Sequence, residues 1–103
     1  MYLIQIFLPL RDNQGRPIAQ RHFQRLAKDL GARFGGLTAY TRAPATGLWK
    51  RGKRGRADHD DIVIYEVMAA RLEKRWWKQQ RLVLQATFRQ EQLLIRAHGM
   101  LRL

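Results

Sequence analysis

Hydrophobic positions divide the chain into segments whose spacing alternates between strand and helix periods. The first segment, Tyr2–Leu10, is apolar at nearly every position, which predicts a strand that is covered on both faces. The turn residues of Arg11–Pro17 follow, and Pro17 stands where proline favours the first position of a helix. Gly35-Gly36 then predicts the end of that helix. Its apolar face consists of Phe23, Leu26, Ala27, Leu30 and Phe34.

The second half of the chain shows the same alternation of strand and helix spacing. Leu37–Ala43 alternates as a strand does, and Ile62–Met68 is rich in β-branched and aromatic residues, which predicts a further strand. Ala69–Arg89 changes to helical spacing, and Gln92–Leu103 is interpreted as the last strand. The apolar face predicted for this helix is Leu72, Trp76, Val83, Leu84 and Phe88. Trp76 is therefore expected in the core, with its neighbour Trp77 at the margin of the core or in a subunit contact.

This order of elements, βαββαβ, predicts an α+β domain of ferredoxin-like type. Two βαβ units form a four-stranded antiparallel sheet in the order 4-1-3-2, with both helices on one face. The 103 residues are close to the commonest size of one domain, so residues 1–103 are expected to form a single domain. A long basic excursion at about residues 45–60 lies between its second and third strands.

Composition excludes several classes of protein. The chain has no cysteine, which rules out disulfides, thiolate catalysis and sulfur-bound metals. No metal motif and no nucleotide-binding loop is visible either, so we expect neither metal nor cofactor. No apolar run approaches the roughly 20 residues of a membrane span, and the amino-terminal segment lacks the features of a signal peptide, which predicts a cytoplasmic protein. The formal net charge of +12 makes polyanions plausible partners.

The sheet face opposite the helices predicts dimerisation. If Ile4, Ile6 and Leu8 point toward the helices, the period of two sends the alternate residues of each strand to the other face. That face would hold Leu3, Gln5, Phe7, Tyr40, Arg42, Ile64, Glu66, Arg96, His98 and Met100. It is too apolar to meet only water, and a second copy of the chain would cover it. We therefore expect a homodimer.

The chain also resembles a known group of proteins. Its length, its βαββαβ order and its first strand, which is apolar on both faces, resemble those of the dimeric α/β-barrel group. Arg33–Tyr40, Gly47–Trp49 and Asp60–Met68 are similar to segments of short bacterial proteins of unknown function. The resemblance implies a dimer of facing sheets. It names no activity, because members of this group include enzymes and plain binding proteins.

Five residues of the predicted open face form a candidate pocket. They are Tyr40, Arg42, Glu66, Arg96 and His98. Glu66 lies among apolar neighbours, so its carboxylate needs a partner, and Arg42 on the adjoining strand is a natural one. Such a set could bind a small acidic or aromatic molecule, or move a proton with His98 as base and Tyr40 as donor. Alternatively, Glu66 and Arg42 form a cross-strand pair that only sets the register.

Several functional hypotheses apply to the basic excursion. Its cations Lys50, Arg51, Lys53, Arg54 and Arg56 could bind nucleic acid or another polyanion, reach a protein partner, or simply form a solvated loop. Beside them, Asp58, His59, Asp60 and Asp61 lack the spacing that a metal site requires. No nucleophile beside a base is visible in the sequence, so we favour a binding protein over an enzyme.

Overall fold

The computed structural model, which describes residues 1–43 and 62–103, contains four strands and two helices in these ranges. They are β1 (Tyr2–Pro9), α1 (Gln20–Phe34), β2 (Thr38–Ala43), β3 (Ile62–Ala69), α2 (Lys74–Thr87) and β4 (Ile95–Gly99). The strands form one antiparallel sheet in the order β2-β3-β1-β4. This is the ferredoxin-like α+β arrangement, which confirms the predicted fold class and strand order.

Strand β1 supplies the centre of the core. Ile4, Ile6 and Leu8 are fully buried, because alternate residues of a strand point to the same face of the sheet. Both helices pack on this face, as predicted. The buried cluster that they form with the sheet includes Phe23, Leu26 and Leu30 of α1, Trp77 and Leu84 of α2, Phe88 just beyond it, and Val63, Tyr65 and Val67 of β3.

Two aromatic contacts join the amino end of α1 to the sheet and to the end of α2. The Tyr65 hydroxyl donates a hydrogen bond of 3.2 Å to the backbone carbonyl of Phe23, and burial raises the pKa of Tyr65. The rings of Phe23 and Phe88 meet edge to face with centroids 5.1 Å apart. The hydroxyl is therefore satisfied inside the core, and no buried side-chain polar atom among the described residues lacks a partner.

The start of α1 differs from the prediction. Pro17 does not open the helix but pairs with Arg11 across a tight loop, and the helix begins at Gln20. The Asp12 carboxylate closes this loop by accepting backbone N–H groups of Arg16, at 2.9 Å, and Gln14, at 2.8 Å. These bonds, led by the one from Arg16, lower the pKa of Asp12. The predicted stop is confirmed, because Gly35 ends α1 in the left-handed conformation at φ 75°.

The start of α2 is also later than predicted. Ala69 still belongs to β3, where it pairs with Tyr2, so a helix cannot begin there. The helix starts at Lys74 and ends at Thr87. Within residues 1–43 and 62–103, neither helix has the length and apolar run that would let it cross a membrane.

The buried face of α2 corrects the assignment of the two tryptophans. Trp77 is only 6% exposed and stacks on Phe34, with centroids 5.4 Å apart. Trp76 is half-buried at the edge of the core, where the Arg33 guanidinium lies 3.9 Å from its ring centroid. Val83, predicted to be in the core, is 51% exposed. Trp77, Leu84 and Phe88 share one face, whereas Trp76 and Val83 lie about 100° away from it.

The last strand is shorter than the predicted Gln92–Leu103. It ends at Gly99, which pairs with Tyr2, and one further backbone hydrogen bond of 2.9 Å runs from the Met100 N–H to the Met1 carbonyl. Leu93 precedes the strand and is buried in the core, whereas Leu101 and Leu103 are fully or almost fully exposed.

The helix phase predicts unequal effects for two residues that the sequence pattern treats alike. Phe88→Ala should lower the free energy of unfolding by about 3–5 kcal/mol, because it empties a fully buried site. Val83→Ala should change it by less than about 0.5 kcal/mol, because Val83 is exposed. Urea unfolding followed by circular dichroism measures both. Equal losses for the two variants would show that the phase of α2 is wrong.

Candidate functional site

The open face of the sheet, the face opposite the helices, is half apolar. The register sets Leu3, Gln5 and Phe7 of β1 beside Met68, Glu66 and Ile64 of β3, in that order. Of these six side chains, Met68 is about half exposed and the other five are half-buried. The apolar residues therefore flank a polar pair at the centre of the sheet, as the alternation predicted.

A row of hydrogen-bonded polar groups crosses this face. Gln5 lies directly opposite Glu66 on one side and Arg96 on the other. Its amide oxygen accepts a hydrogen bond of 2.7 Å from Arg96 Nε, and its amide nitrogen donates to the Glu66 carboxylate. The neutral amide thus links a cation to an anion, which satisfies the charge on Glu66 that its apolar surroundings would otherwise disfavour.

Tyr40 extends the row on β2. It pairs with Ile64, one step along the open face from Glu66, and its side chain is 48% exposed. A hydrogen bond with Glu66, assisted by the negative charge of that carboxylate, raises the pKa of Tyr40. We call Tyr40, Glu66, Gln5 and Arg96 the polar row.

The other end of the polar row lies on an aromatic ring. The Arg96 guanidinium carbon is 4.8 Å from the centroid of the Phe7 ring, a cation–π distance. Among the hydrogen bonds of the described residues, Arg96 uses only its Nε. Its two terminal amino groups are therefore available to an acidic ligand, in the bidentate geometry that arginine offers to carboxylates.

The structure brings together three of the five predicted pocket residues. Tyr40, Glu66 and Arg96 belong to the polar row, and His98 lies on the same face, opposite Leu3. The register sets Thr38 opposite Glu66, the place where Arg42 was expected as a partner. A register shift between Tyr40 and Ala43 interrupts the pairing at Arg42, whose side chain lies outside the described part of the structure.

Sequence reasoning did not find the role of Gln5. It placed this glutamine on the open face but gave it no partner, and Glu66 received Arg42 instead. The available signal was the predicted strand order, which puts the first strand between the third and the fourth. A polar residue at the middle of a central, otherwise apolar strand must then meet polar groups on both neighbours.

Other predicted site residues lie outside the described ranges. These are the basic residues Lys50, Arg51, Lys53, Arg54 and Arg56 and the cluster around His59. Binding of nucleic acid, another polyanion or a protein partner by the excursion therefore stays a prediction. Within residues 1–43 and 62–103, no three histidine, aspartate or glutamate side chains are grouped so that they could hold a metal ion.

Comparisons with protein-family models, curated proteins and solved structures found no match to this chain. The ferredoxin-like arrangement therefore rests on the order of the elements and on the sheet topology. The basis for a function is the geometry of the open face.

The polar row predicts a change in the titration of Tyr40. Glu66→Gln should lower the pKa of Tyr40 toward its ordinary value of 10.0, because the hydrogen bond to a carboxylate and the nearby negative charge are both lost. The stabilisation from this contact is complete below about pH 10 and disappears as the pH rises through the raised pKa of Tyr40. The pKa of Tyr40 is measured from tyrosinate absorbance during alkaline titration. The transition that is lost in Tyr40→Phe is the one that belongs to Tyr40.

Glu73→Gln is the matched control, because Glu73 is an exposed carboxylate whose partner is Arg33, at 3.0 Å. It should leave the Tyr40 titration unchanged. A Tyr40 pKa that does not fall in Glu66→Gln would contradict the contact.

Proposed function

We propose that this chain is a homodimeric binding protein whose two open faces lie against each other and enclose a pocket for a small molecule. The observation that supports this is the polar row, which lies at the centre of a half-apolar sheet face. Such a combination of apolar walls with a few oriented polar groups is typical of small-molecule pockets. His98 and Phe7, on the same face, would complete the lining.

The apolar part of the open face favours a protein cover. Leu3, Phe7 and Ile64 are half-buried, and Tyr40 and Met68 are each about half exposed. An apolar surface of this kind on a sheet is most simply covered by packing against another sheet, at a spacing of about 10 Å. Between two half-apolar faces, the polar rows would be largely removed from water.

The charge distribution favours a second copy as that cover. The polar row is negative at Glu66 and positive at Arg96, with the neutral Gln5 between them. A two-fold axis parallel to β1 and above Gln5 would turn one sheet over the other. It would place the positive end of each polar row across the pocket from the negative end of the other, so the face is complementary to itself and the terminal amino groups of Arg96 point toward the enclosed space.

The polar row also indicates the class of ligand. Arg96 offers two free amino groups to an acid, while Phe7 and Tyr40 supply aromatic surface close by. We therefore propose a small aromatic or acidic molecule as ligand. Glu66 already accepts a hydrogen bond from Gln5, and its carboxylate raises the pKa of the nearby Tyr40, so its role is to hold Gln5 and Tyr40 in place.

The proposal predicts that a charge on the open face dissociates the dimer. Ile64→Arg places a guanidinium between Phe7 and Tyr40, where a facing sheet would have to bury it. The variant should sediment as a folded chain of 12.2 kDa, and the wild type at twice that mass. Leu82→Arg, at an exposed position of α2, is the matched control and should remain dimeric.

Sedimentation equilibrium measures the mass, and circular dichroism verifies folding. A wild type that stays monomeric at all concentrations would overturn the dimer. Equal dissociation of Leu82→Arg would show that the interface lies on the helix side instead.

The ligand class predicts selective binding of a carboxylate. Benzoate should shift the amide resonances of β1, β3 and β4 in nitrogen-edited NMR spectra more strongly than its neutral isostere benzamide, because only benzoate can pair with Arg96. Arg96→Gln should remove this preference, whereas Arg81→Gln, an exposed arginine of α2, should retain it. Equal shifts by both probes in the wild type would contradict an acid-binding pocket.

A further inference from the structure

A second concave site lies on the helix side of the molecule. It is a cleft of about 200 Å³ between the loop that follows β1, the first turn of α1 and the end of α2. The side chains that matter for its chemistry are Asp12, Arg16, Arg21, His22, Thr87 and Arg89. We call it the arginine cleft. The polar row does not contribute to it.

The arginine cleft carries an excess of positive charge. Arg16, Arg21 and Arg89 are its three guanidinium groups, and Asp12 is its one carboxylate, which leaves two positive charges uncompensated. Within residues 1–43 and 62–103, the ion pair that forms is between Arg33 and Glu73, far from the cleft. Each of the three arginines therefore lacks a salt-bridge partner within this part of the chain.

Asp12 is already engaged by the backbone of its own loop. One of its carboxylate oxygens accepts the N–H groups of Gln14 and Arg16. The nearby charges of Arg16 and Arg89 add to these bonds in lowering the pKa of Asp12, so it stays ionised and keeps the loop closed. Its role in the cleft is structural, and the arginine side chains are left to face a ligand.

Arg89 occupies a backbone conformation that glycine normally supplies. It has φ 51°, and it stands at the left-handed position of a Schellman motif that ends α2. The Arg89 N–H bonds to the Ala86 carbonyl, and the Gln90 N–H bonds to the Gln85 carbonyl, as that motif requires. Helix α1 ends with Gly35 at the equivalent conformation. A large side chain kept where it is conformationally costly is a mark of functional sites.

The walls of the arginine cleft are held together by direct hydrogen bonds. Asn13 N–H donates to the Arg89 carbonyl at 3.0 Å, and the Gln90 side-chain amide donates to the Arg11 carbonyl at 2.8 Å. The loop after β1 and the end of α2 therefore form one unit. The backbone that carries Arg16 and Arg89 is thus in place before a ligand arrives, so only their side chains need to become ordered on binding.

We infer that the arginine cleft binds the terminal phosphoryl group of a small phosphorylated molecule. A phosphate monoester carries nearly two negative charges at neutral pH, which match the excess of the cleft, and its oxygens suit the paired donors of arginine. The volume is below the roughly 300–1,000 Å³ of pockets for drug-sized ligands, so the phosphoryl group enters while the rest of the molecule extends outward. The Thr87 hydroxyl and His22 ring provide further polar contacts.

Phenyl phosphate is the probe for this site, at about pH 7.5, where the second phosphate proton is lost. Titration at constant ionic strength, followed by nitrogen-edited NMR, should shift amides of Asp12–His22 and Thr87–Gln90. Arg89→Gly and Arg16→Gln should each weaken binding by about tenfold, the effect of one charged hydrogen bond. Arg89→Gly should leave the free energy of unfolding unchanged or higher, because glycine suits φ 51°.

Arg75→Gln is the matched control, because it removes the same charge from an exposed position near the start of α2, outside the cleft. It should change the affinity by less than about twofold, since only general electrostatics act there. Wild-type affinity in both Arg89→Gly and Arg16→Gln would overturn the site, and so would an equal loss in Arg75→Gln. Tighter binding of an oligonucleotide that lacks a terminal phosphate would show that backbone phosphates are the ligand instead, and would also overturn it.

Discussion

Strand β1 pairs with β3 residue by residue over its whole length and with β4 over five residues. Since directly paired residues share a face, these two ladders determine what meets on both sides of the sheet. They place Ile4, Ile6 and Leu8 beneath the helices, and they place Gln5 between Glu66 and Arg96. A shift of the register by one residue would exchange the two faces and destroy the core and the polar row together.

Gln5 is suited to its place because an amide is neutral and both accepts and donates hydrogen bonds. A guanidinium on one side requires an acceptor, and a carboxylate on the other requires a donor. An apolar residue here would leave both charges unlinked on a half-apolar face, and a second carboxylate would repel Glu66. The polar row is therefore a coupled unit, in which the position of each group depends on its neighbour.

The two ends of the helix layer are built differently. The carboxyl end of α1 is held to α2 by the rings of Phe34 and Trp77 and by the Arg33–Glu73 ion pair, and Gly35 terminates the helix without strain. At the opposite end, α2 stops at a left-handed arginine whose side chain lines a cleft. Glycine is the residue that usually occupies the left-handed position after a helix, and α1 follows this preference whereas α2 does not. Departures from local preference are expected at functional sites, where a particular side chain is needed.

The sequence by itself determined the order of the elements, the fold class and the inward face of β1, because periods of two and 3.6 depend only on local geometry. It could not choose between the stripes of Trp76 and Trp77 on α2, since Val83 and Leu84 follow them at the same spacing. Tertiary packing decided, because it buries Trp77 and Leu84 and leaves Val83 exposed. Strand pairing likewise decided that Thr38, rather than Arg42, lies opposite Glu66 on β2, and that Gln5 lies opposite it on β1. The arginine cleft joins Arg16 and Arg89, which are distant in the chain, so only the packed tertiary structure brings them together.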